Sequence, residues 1–310
     1  MLDSAEQILA AAREHGLHLT SARPELDDSG ADFLVVHAVD EQGTRWVVRS
    51  PRRPDVLERA AAERRMLDLV RARIPVAVPN WRLFSSQVIA YPRLGGEPAA
   101  VVDMSAGGYR WRFDATNPPA VFLDTLAEVL ATLHGISHED AIAAGSGVRR
   151  SAQIRETYAK RMELARGVLN VPDAVWRRWQ AWLADDGYWS ERPVFVHGDL
   201  HPAHILVDEE HRVVGLLDWT EAHVGDLATD LALQYATLGR GALSTIVERY
   251  RAAGGRAGAR TEEHAIEMWS AYPVVIAAFA AESGEEGLRH LAQSLVDGTA
   301  QEMSGAGRGA

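Results

Sequence analysis

Short β-rich runs separated by polar turns dominate the first ninety residues of the chain. Residues 33–39 and 45–49 are two such runs, and the polar segment 40–43 between them contains a glycine, which predicts a hairpin. The segment after Pro54 carries apolar residues at helical spacing to about Arg73, and residues 87–91 predict another strand. The proline and the glycines within residues 92–96 then predict a hinge.

From residue 96 onward the hydrophobic pattern is mostly that of helices. One helix is predicted to open at 117–119, and others are predicted at 152–169, 174–183, 228–238, 243–253 and 261–281. A β island interrupts them at 194–196, 205–207 and 213–217, and the last ten residues are expected to form a frayed tail. Together the two patterns predict an α+β fold of two lobes, residues 1–92 and 93–310.

Composition narrows the kinds of partner. The chain has 310 residues, of which 47% are hydrophobic and 24% charged, so it can bury a sizeable core. Its net charge of −11 argues against nucleic acid as the main partner and would suit a cationic substrate. It has no cysteine, which excludes disulfides and thiolate chemistry. The longest apolar run, residues 271–281, is shorter than the ~20 residues that cross a bilayer, so we expect a soluble cytoplasmic protein.

The chemistry of the chain is concentrated in the β island. The motif HGDLHPAH, residues 197–204, connects the first two strands, and Asp218 follows the third strand, 19 residues after Asp199. Strand ends present side chains from a rigid frame, so we expect both carboxylates at the same end of one small sheet. The spacing resembles the catalytic loop of kinases followed by a metal-binding aspartate. The alternative is a pair of turn-forming aspartates without a chemical role.

Two features of the N-terminal lobe favour a nucleotide site. Glu63 lies on the apolar stripe of the helix after Pro54, and a carboxylate on a buried face needs a cationic partner. Kinase folds supply that partner from the preceding strand, where it also contacts the phosphates; here Arg49 holds the position in place of the usual lysine. The alternative is a surface arginine and a solvated glutamate. Four more residues are nucleotide-binding candidates by position, namely Ser29, Gly30, Ala90 and Tyr91.

The stretch VFVHGDLHPAHILVDEEHRVVGLLDWTEAHVGDLATDLA, residues 194–232, resembles the aminoglycoside-phosphotransferase-like antibiotic kinases. This resemblance implies a protein-kinase-like fold in which Asp199 is the catalytic base and Asp218 binds Mg²⁺. His204 stands where kinases place a metal-binding asparagine, so we expect it to be a second metal ligand. The G-D-x-x-x-D element at residues 225–230 matches a later family element, which we interpret as mainly structural.

Within these kinases the chain looks most like the macrolide 2′-phosphotransferases. Residues 29–33, 45–56, 197–208 and 272–280 carry that resemblance. It implies an enzyme that confers macrolide resistance by transferring the γ-phosphate of GTP, or of ATP, to the 2′-hydroxyl of desosamine with Mg²⁺ as cofactor. We expect a monomer whose partners are the antibiotic and the nucleotide. Candidates for the substrate wall, with ordinary helix packing as the alternative, are Met268, Trp269, Tyr272, Pro273, Ile276 and Phe279, beside Asp199.

Two other functions stay open. A kinase for aminoglycosides or other amino alcohols would need more acidic residues than the apolar C-terminal helix offers. A pseudokinase that only binds its ligands is the alternative from another class. The presence of both Asp199 and Asp218 speaks against it, whereas Arg49 and His204 depart from the usual kinase pattern.

Overall fold

The structure, a computed structural model, describes residues 2–20, 26–28, 30, 32–103, 108–189 and 192–306. Its N-terminal part is an antiparallel sheet with a helix against each face. The elements are α1 (Ala5–Glu14), β1 (Leu19–Thr20), β2 (Leu26–Asp27), β3 (Phe33–Asp40), β4 (Arg45–Pro51), α2 (Val56–Arg71), β5 (Leu83–Phe84) and β6 (Ile89–Pro92). The strand order is β1-β3-β4-β6-β5, and β2 also pairs with β3. The predicted hairpin is confirmed as β3–β4, in which Val35 pairs with Arg49.

The two faces of this sheet have different neighbours, because successive side chains of a strand point to opposite sides. Val48 and Ala90 lie on the face that packs against α1. Val47 and Tyr91 lie on the other face, in the same core as the apolar stripe of α2. That second face is therefore the one that meets the rest of the protein.

The remainder of the chain is mainly helical. Its helices are α3 (Ala120–His134), α4 (His138–Ala143), α5 (Ser151–Val168), α6 (Asp173–Ala184), α7 (Ala228–Ala252), α8 (Thr261–Ser270), α9 (Pro273–Ser283) and α10 (Glu286–Ala306). Its strands are β7 (Glu97–Pro98), β8 (Ala100–Asp103), β9 (Gly108–Trp111), β10 (Val194–Val196), β11 (Ile205–Val207), β12 (Val213–Leu216) and β13 (His223–Gly225). Leu126 and Leu130 on α3 are fully buried, and α7 packs against both α3 and α8. The predicted α+β class, with a β-rich first part and a helical second part, is confirmed.

The β island is not the single sheet that we expected. β10 pairs with β13, whereas β11 lies between β12 and β7 in a second sheet. The chain leaves the first sheet at Gly198, whose φ of +87° turns it sharply. β13 has only three residues, too few for a recognisable alternating pattern. Asp199 and Asp218 therefore follow strands of two different small sheets.

Three helix boundaries also differ from the expectation. Residues 261–281 form two helices, α8 and α9, because Pro273 lacks the amide hydrogen that would continue α8 and instead starts α9. The two helices predicted at 228–238 and 243–253 form one element, α7, with a kink at Gly239, where φ is +82°. Residues 301–306 belong to α10, so this part of the expected frayed tail is helical.

By length and composition alone, one stretch of the described residues, Thr261–Ser283, is apolar enough to cross a membrane. Within the fold 61% of its most apolar window is buried, and the stretch is interrupted between α8 and α9. Both facts are typical of a core helix pair.

A short connection links the sheet to the helical part. β6 ends at Pro92, and β7 begins at Glu97 and pairs with β11. Gly96 in this connection has φ +81°, and a Cβ atom there would lie 2.7 Å from Val214 Cγ2 and 2.8 Å from the carbonyl oxygen of Val207. Only glycine fits so close to β11 and β12. The lobe boundary at residues 92 and 93 remains a prediction.

Candidate active site

The loop that carries Asp199 starts at a glycine that no other residue can replace without displacement. Gly198 has φ +87°, and a Cβ atom there would overlap the carbonyl oxygen of Glu221. The turn at Gly198 brings Asp199 out of β10 with its side chain 42% exposed. Burial of the surrounding loop raises the pKa of Asp199, although His204 and His197 act in the opposite direction. A carboxylate with a raised pKa is a stronger proton acceptor.

Helix α7 holds this loop on both sides of Asp199. The fully buried Asp230 accepts hydrogen bonds from the backbone N–H groups of His197 (2.8 Å) and Gly198 (2.9 Å), and its Oδ2 lies 3.1 Å from His134 Nε2. One turn later, Gln234 Nε2 donates to the carbonyl oxygen of Leu200 (2.7 Å). Burial alone would raise the pKa of Asp230, but His134 and the loop amides outweigh it and lower the pKa. Asp230 thus has the structural position that we expected for the 225–230 element.

His197 ties the same loop to β12. Its side chain is fully buried, Nε2 donates to the carbonyl oxygen of Leu217 (2.9 Å), and Nδ1 accepts the backbone N–H of Asp199 (3.3 Å). Burial lowers the pKa of His197, so the ring is neutral at neutral pH. Its role is therefore to position Asp199 relative to Asp218, which directly follows Leu217.

Asp218 and His204 converge in a way that suits a divalent cation. His204 Nδ1 donates to the carbonyl oxygen of Asp199 (2.9 Å), and its Nε2 lies 4.0 Å from Asp218 Oδ2. Asp218 has φ +55°, a strained conformation that recurs at functional sites. Burial would raise the pKa of Asp218, but His204 and Arg49 outweigh it and lower the pKa, so the carboxylate is ionised. The Asp218 carboxylate is a ligand type that Mg²⁺ and Mn²⁺ prefer, and the imidazole nitrogen of His204 is a softer ligand than the oxygen ligands typical of Mg²⁺.

A second histidine, which the motifs in the sequence did not single out, lies beside them. The His201 ring lies against the His204 ring, with centroids 3.8 Å apart and planes tilted by 44°, and one ligand atom from each of Asp199, His201 and His204 lies within 4.8 Å of the others. Burial lowers the pKa of His201 to about 3. The signal that could have found it is its position in HGDLHPAH, two residues after Asp199.

The predicted pairing of Arg49 with Glu63 is present. Arg49 NH1 lies 3.3 Å from Glu63 Oε1, and the two side chains are 11% and 1% exposed. Burial would lower the pKa of Arg49, but Glu63, Tyr91 and Asp218 outweigh it and keep the guanidinium charged. Glu63 also accepts the backbone N–H of Trp219, next to Asp218. The pair thus links α2 to the segment that carries the metal-binding candidate.

A cavity of about 760 Å³ lies between the sheet and β11–β12; we call it the interlobe cavity. Its lining brings together five of the predicted residues, Gly30, Arg49, Tyr91, His204 and Asp218. Ala90 is not part of the lining, because it points to the α1 face and its carbonyl oxygen accepts the N–H of Arg82. Glu63 lies behind Arg49, outside the lining, and Ser29 lies outside the described residues.

A second cavity, of about 540 Å³, borders Asp199 on the helical side; we call it the acceptor cavity. Of the predicted wall, Met268, Trp269 and Tyr272 line it. Three residues do not: Pro273 is buried in the core, Ile276 packs against the core, and Phe279 is 56% exposed. The break between α8 and α9 turns these three away from the cavity. The opposite wall comes from α5, a helix for which the sequence predicted no site residue.

Comparison with known proteins assigns these features to a family. The model of the phosphotransferase enzyme family (APH) matches residues 25–265. The chain is 43% identical over 280 residues to the uncharacterized protein YcbJ of Bacillus subtilis (strain 168), a match that covers 90% of this chain and 92% of YcbJ.

Solved structures give the same assignment. The apoenzyme of macrolide 2′-phosphotransferase MphH from Brachybacterium faecium is 37% identical with a TM-score of 0.85, over 94% of this chain and 98% of MphH. Macrolide 2′-phosphotransferase type I is 35% identical with a TM-score of 0.86, over 95% of this chain and 98% of that one. APH(2″)-IIIa in its complex with GDP and kanamycin has a TM-score of 0.76 at 16% identity, over 96% of this chain and 98% of that one, and this likeness concerns the fold alone.

Proposed function

Because this chain belongs to the phosphotransferase enzyme family and is thus a hydroxyl-acceptor kinase, we propose that it phosphorylates the 2′-hydroxyl of the desosamine sugar of macrolides. The donor is GTP, with ATP as a second donor, and the product is an inactivated antibiotic. The donor preference follows the similarity to macrolide kinases. We further propose that the enzyme acts as a cytoplasmic monomer that confers macrolide resistance.

The observation that carries this proposal is the lining of the acceptor cavity. Asp199 stands at its edge, and the walls combine apolar and aromatic side chains, among them Met268, Trp269 and Tyr272. A desosamine ammonium group beside Asp199 is attracted by the carboxylate, while a macrolactone ring needs a wall of this apolar kind. A polycationic aminoglycoside would need several carboxylates, and the described lining has two, Asp199 and Glu221.

The proposed mechanism divides the work between the two cavities. In the interlobe cavity, Arg49 would bind the phosphates of the nucleotide, and His204 and Asp218 would hold Mg²⁺, which would neutralise phosphate charge when bound. At the border with the acceptor cavity, Asp199 orients the acceptor hydroxyl and accepts its proton. The raised pKa of Asp199 suits a base, and the attachment of its loop to α7 through the backbone holds it in place at the edge of the acceptor cavity.

The test is a transfer assay with the purified protein and γ-labelled GTP or ATP. Erythromycin should acquire the label, and 2′-O-acetyl erythromycin, whose acceptor hydroxyl is blocked, should not. Label on kanamycin but not on erythromycin would favour the aminoglycoside alternative. Transfer to neither, together with measurable nucleotide binding, would favour the pseudokinase alternative.

A further inference from the structure

One wall of the acceptor cavity is a single stripe of helix α5. Ile154, Thr157, Tyr158 and Arg161 line the cavity at the i, i+3, i+4 and i+7 spacing that places side chains on one helix face. An arginine therefore ends a stripe that is otherwise apolar, aromatic or uncharged.

The charges that line this cavity are nearly balanced. The described lining contains two carboxylates, Asp199 and Glu221, and two guanidinium groups, Arg149 and Arg161. Arg149 NH2 lies 3.4 Å from Glu221 Oε2, so these two charges offset each other. Among the described residues no carboxylate lies within ion-pair distance of Arg161. The cavity thus presents the Asp199 carboxylate, which lies 3.6 Å from His204 Nδ1, and a positive charge at Arg161 that no described carboxylate offsets.

Two tyrosine rings line the same cavity as these two charges. Tyr158 is on the α5 stripe that ends at Arg161, and Tyr272 lies between α8 and α9. A ligand that fills the cavity from Asp199 along α5 places its distal part beside a guanidinium, which donates hydrogen bonds and repels cations.

We propose that Arg161 determines the class of acceptor. It admits a molecule with one ammonium group near Asp199 and a neutral distal body whose carbonyl or hydroxyl oxygens accept its hydrogen bonds. It rejects molecules that carry further ammonium groups on distal rings. This inference rests on the proposed function for the orientation of the acceptor at Asp199. Repulsion between two like unit charges at the short distances inside a cavity lowers affinity by about 10- to 100-fold at the effective dielectric constant near a protein surface.

The experiment compares Arg161→Glu with Arg161→Met and with a matched control, Lys160→Glu. Lys160 is one residue earlier on α5, its side chain is 75% exposed, and its replacement changes the net charge by the same amount. Dissociation constants for kanamycin and erythromycin are measured by calorimetry at low ionic strength, together with kcat and KM for transfer to each.

We expect the kanamycin Kd to fall by about 10-fold or more in Arg161→Glu and by less in Arg161→Met. The erythromycin KM should rise several-fold in both, because the hydrogen-bond donor is lost. Lys160→Glu should change neither by more than about 2-fold. Equal effects of Arg161→Glu and Lys160→Glu on kanamycin, or no effect of either, would overturn the proposal. If the wild-type protein transfers phosphate to neither antibiotic, the proposed function fails, while the binding measurements still decide the role of Arg161.

Discussion

Replacement of Asp230 by asparagine should slow phosphoryl transfer by loosening the loop that carries Asp199. The carboxylate is fully buried and accepts two loop N–H groups at 2.8 and 2.9 Å, besides its contact with His134. Asparagine keeps the shape but offers one acceptor oxygen, so its amide N–H group must face another donor. The variant therefore loses the charge on three contacts and places two donors against each other.

The expected loss of stability follows from the number of hydrogen bonds that Asp230 accepts. Hydrogen bonds to a charged group contribute about 1.5–3 kcal/mol each, and partial retention of the pattern leads us to expect a loss of about 2–5 kcal/mol in the free energy of unfolding. Domains of this kind are stable by about 5–15 kcal/mol, so the variant stays mostly folded at 25 °C unless the wild-type stability is near the lower limit and the loss near the upper one. A shift of Asp199 by about 1 Å costs about 100-fold in rate, so kcat should fall by about 10- to 100-fold.

Asp226 provides the matched control within the same motif. It is also buried, lies 3.1 Å from His264 Nε2, and accepts the N–H of Ala228, but it makes no hydrogen bond to the Asp199 loop. Asp226→Asn should lower the melting temperature while changing kcat by less than about 3-fold. Urea unfolding and steady-state kinetics on both variants make the comparison. If Asp226→Asn lowers kcat as much as Asp230→Asn does for the same loss of stability, the positioning role of Asp230 is refuted.

The same residue predicts a pH dependence. The folded-state pKa of Asp230 is lowered, so its stabilising effect is complete above its ordinary pKa of about 4 and disappears as the pH falls through the lower folded-state value. The difference in unfolding free energy between wild type and Asp230→Asn should therefore be constant from pH 7 to 5 and shrink below about pH 4. A difference that grows on acidification would contradict the direction of this shift.

The remaining predictions concern the proposed catalytic groups. Asp199→Asn should lower kcat by about 100-fold or more and leave nucleotide affinity within about 3-fold, and near wild-type turnover would remove Asp199 from the base role. Asp218→Ala should abolish the Mg²⁺-dependent part of nucleotide affinity, and calorimetry with unchanged Mg·GTP binding would contradict the metal assignment. His204→Asn should retain activity with Mg²⁺, and its ratio of activity with Mn²⁺ to activity with Mg²⁺ should be lower than that of the wild type, because imidazole is the softer ligand. An unchanged ratio would argue that His204 only packs. Arg49→Ala should weaken nucleotide binding and Arg49→Lys should recover part of it, whereas wild-type affinity in both would show that Arg49 does not contact the phosphates.

The sequence was sufficient to predict several of the elements and residues that form the candidate site. The β3–β4 hairpin, helix α2 with Glu63 on its buried stripe, and the order Asp199, His204, Asp218 were all readable in the sequence. The hairpin and the helix depend on neighbours within a few residues, and Glu63 depends on the requirement for a cation opposite a buried carboxylate. The roles given to Asp199, His204 and Asp218 depend on their resemblance to the kinase motifs. Such constraints act along the chain, so they appear in the sequence.

The tertiary structure decided which residues face which cavity. Tyr91 lines the interlobe cavity and Ala90 does not, because strand register and the position of α1 select the face. β13 takes the place beside β10, and the break before Pro273 turns Phe279 away from the acceptor cavity while α5 supplies the opposite wall. These outcomes result from packing between segments far apart in the chain. A stripe such as Ile154 to Arg161 has the same pattern in a core helix as in a cavity wall, and only the elements packed around it distinguish the two.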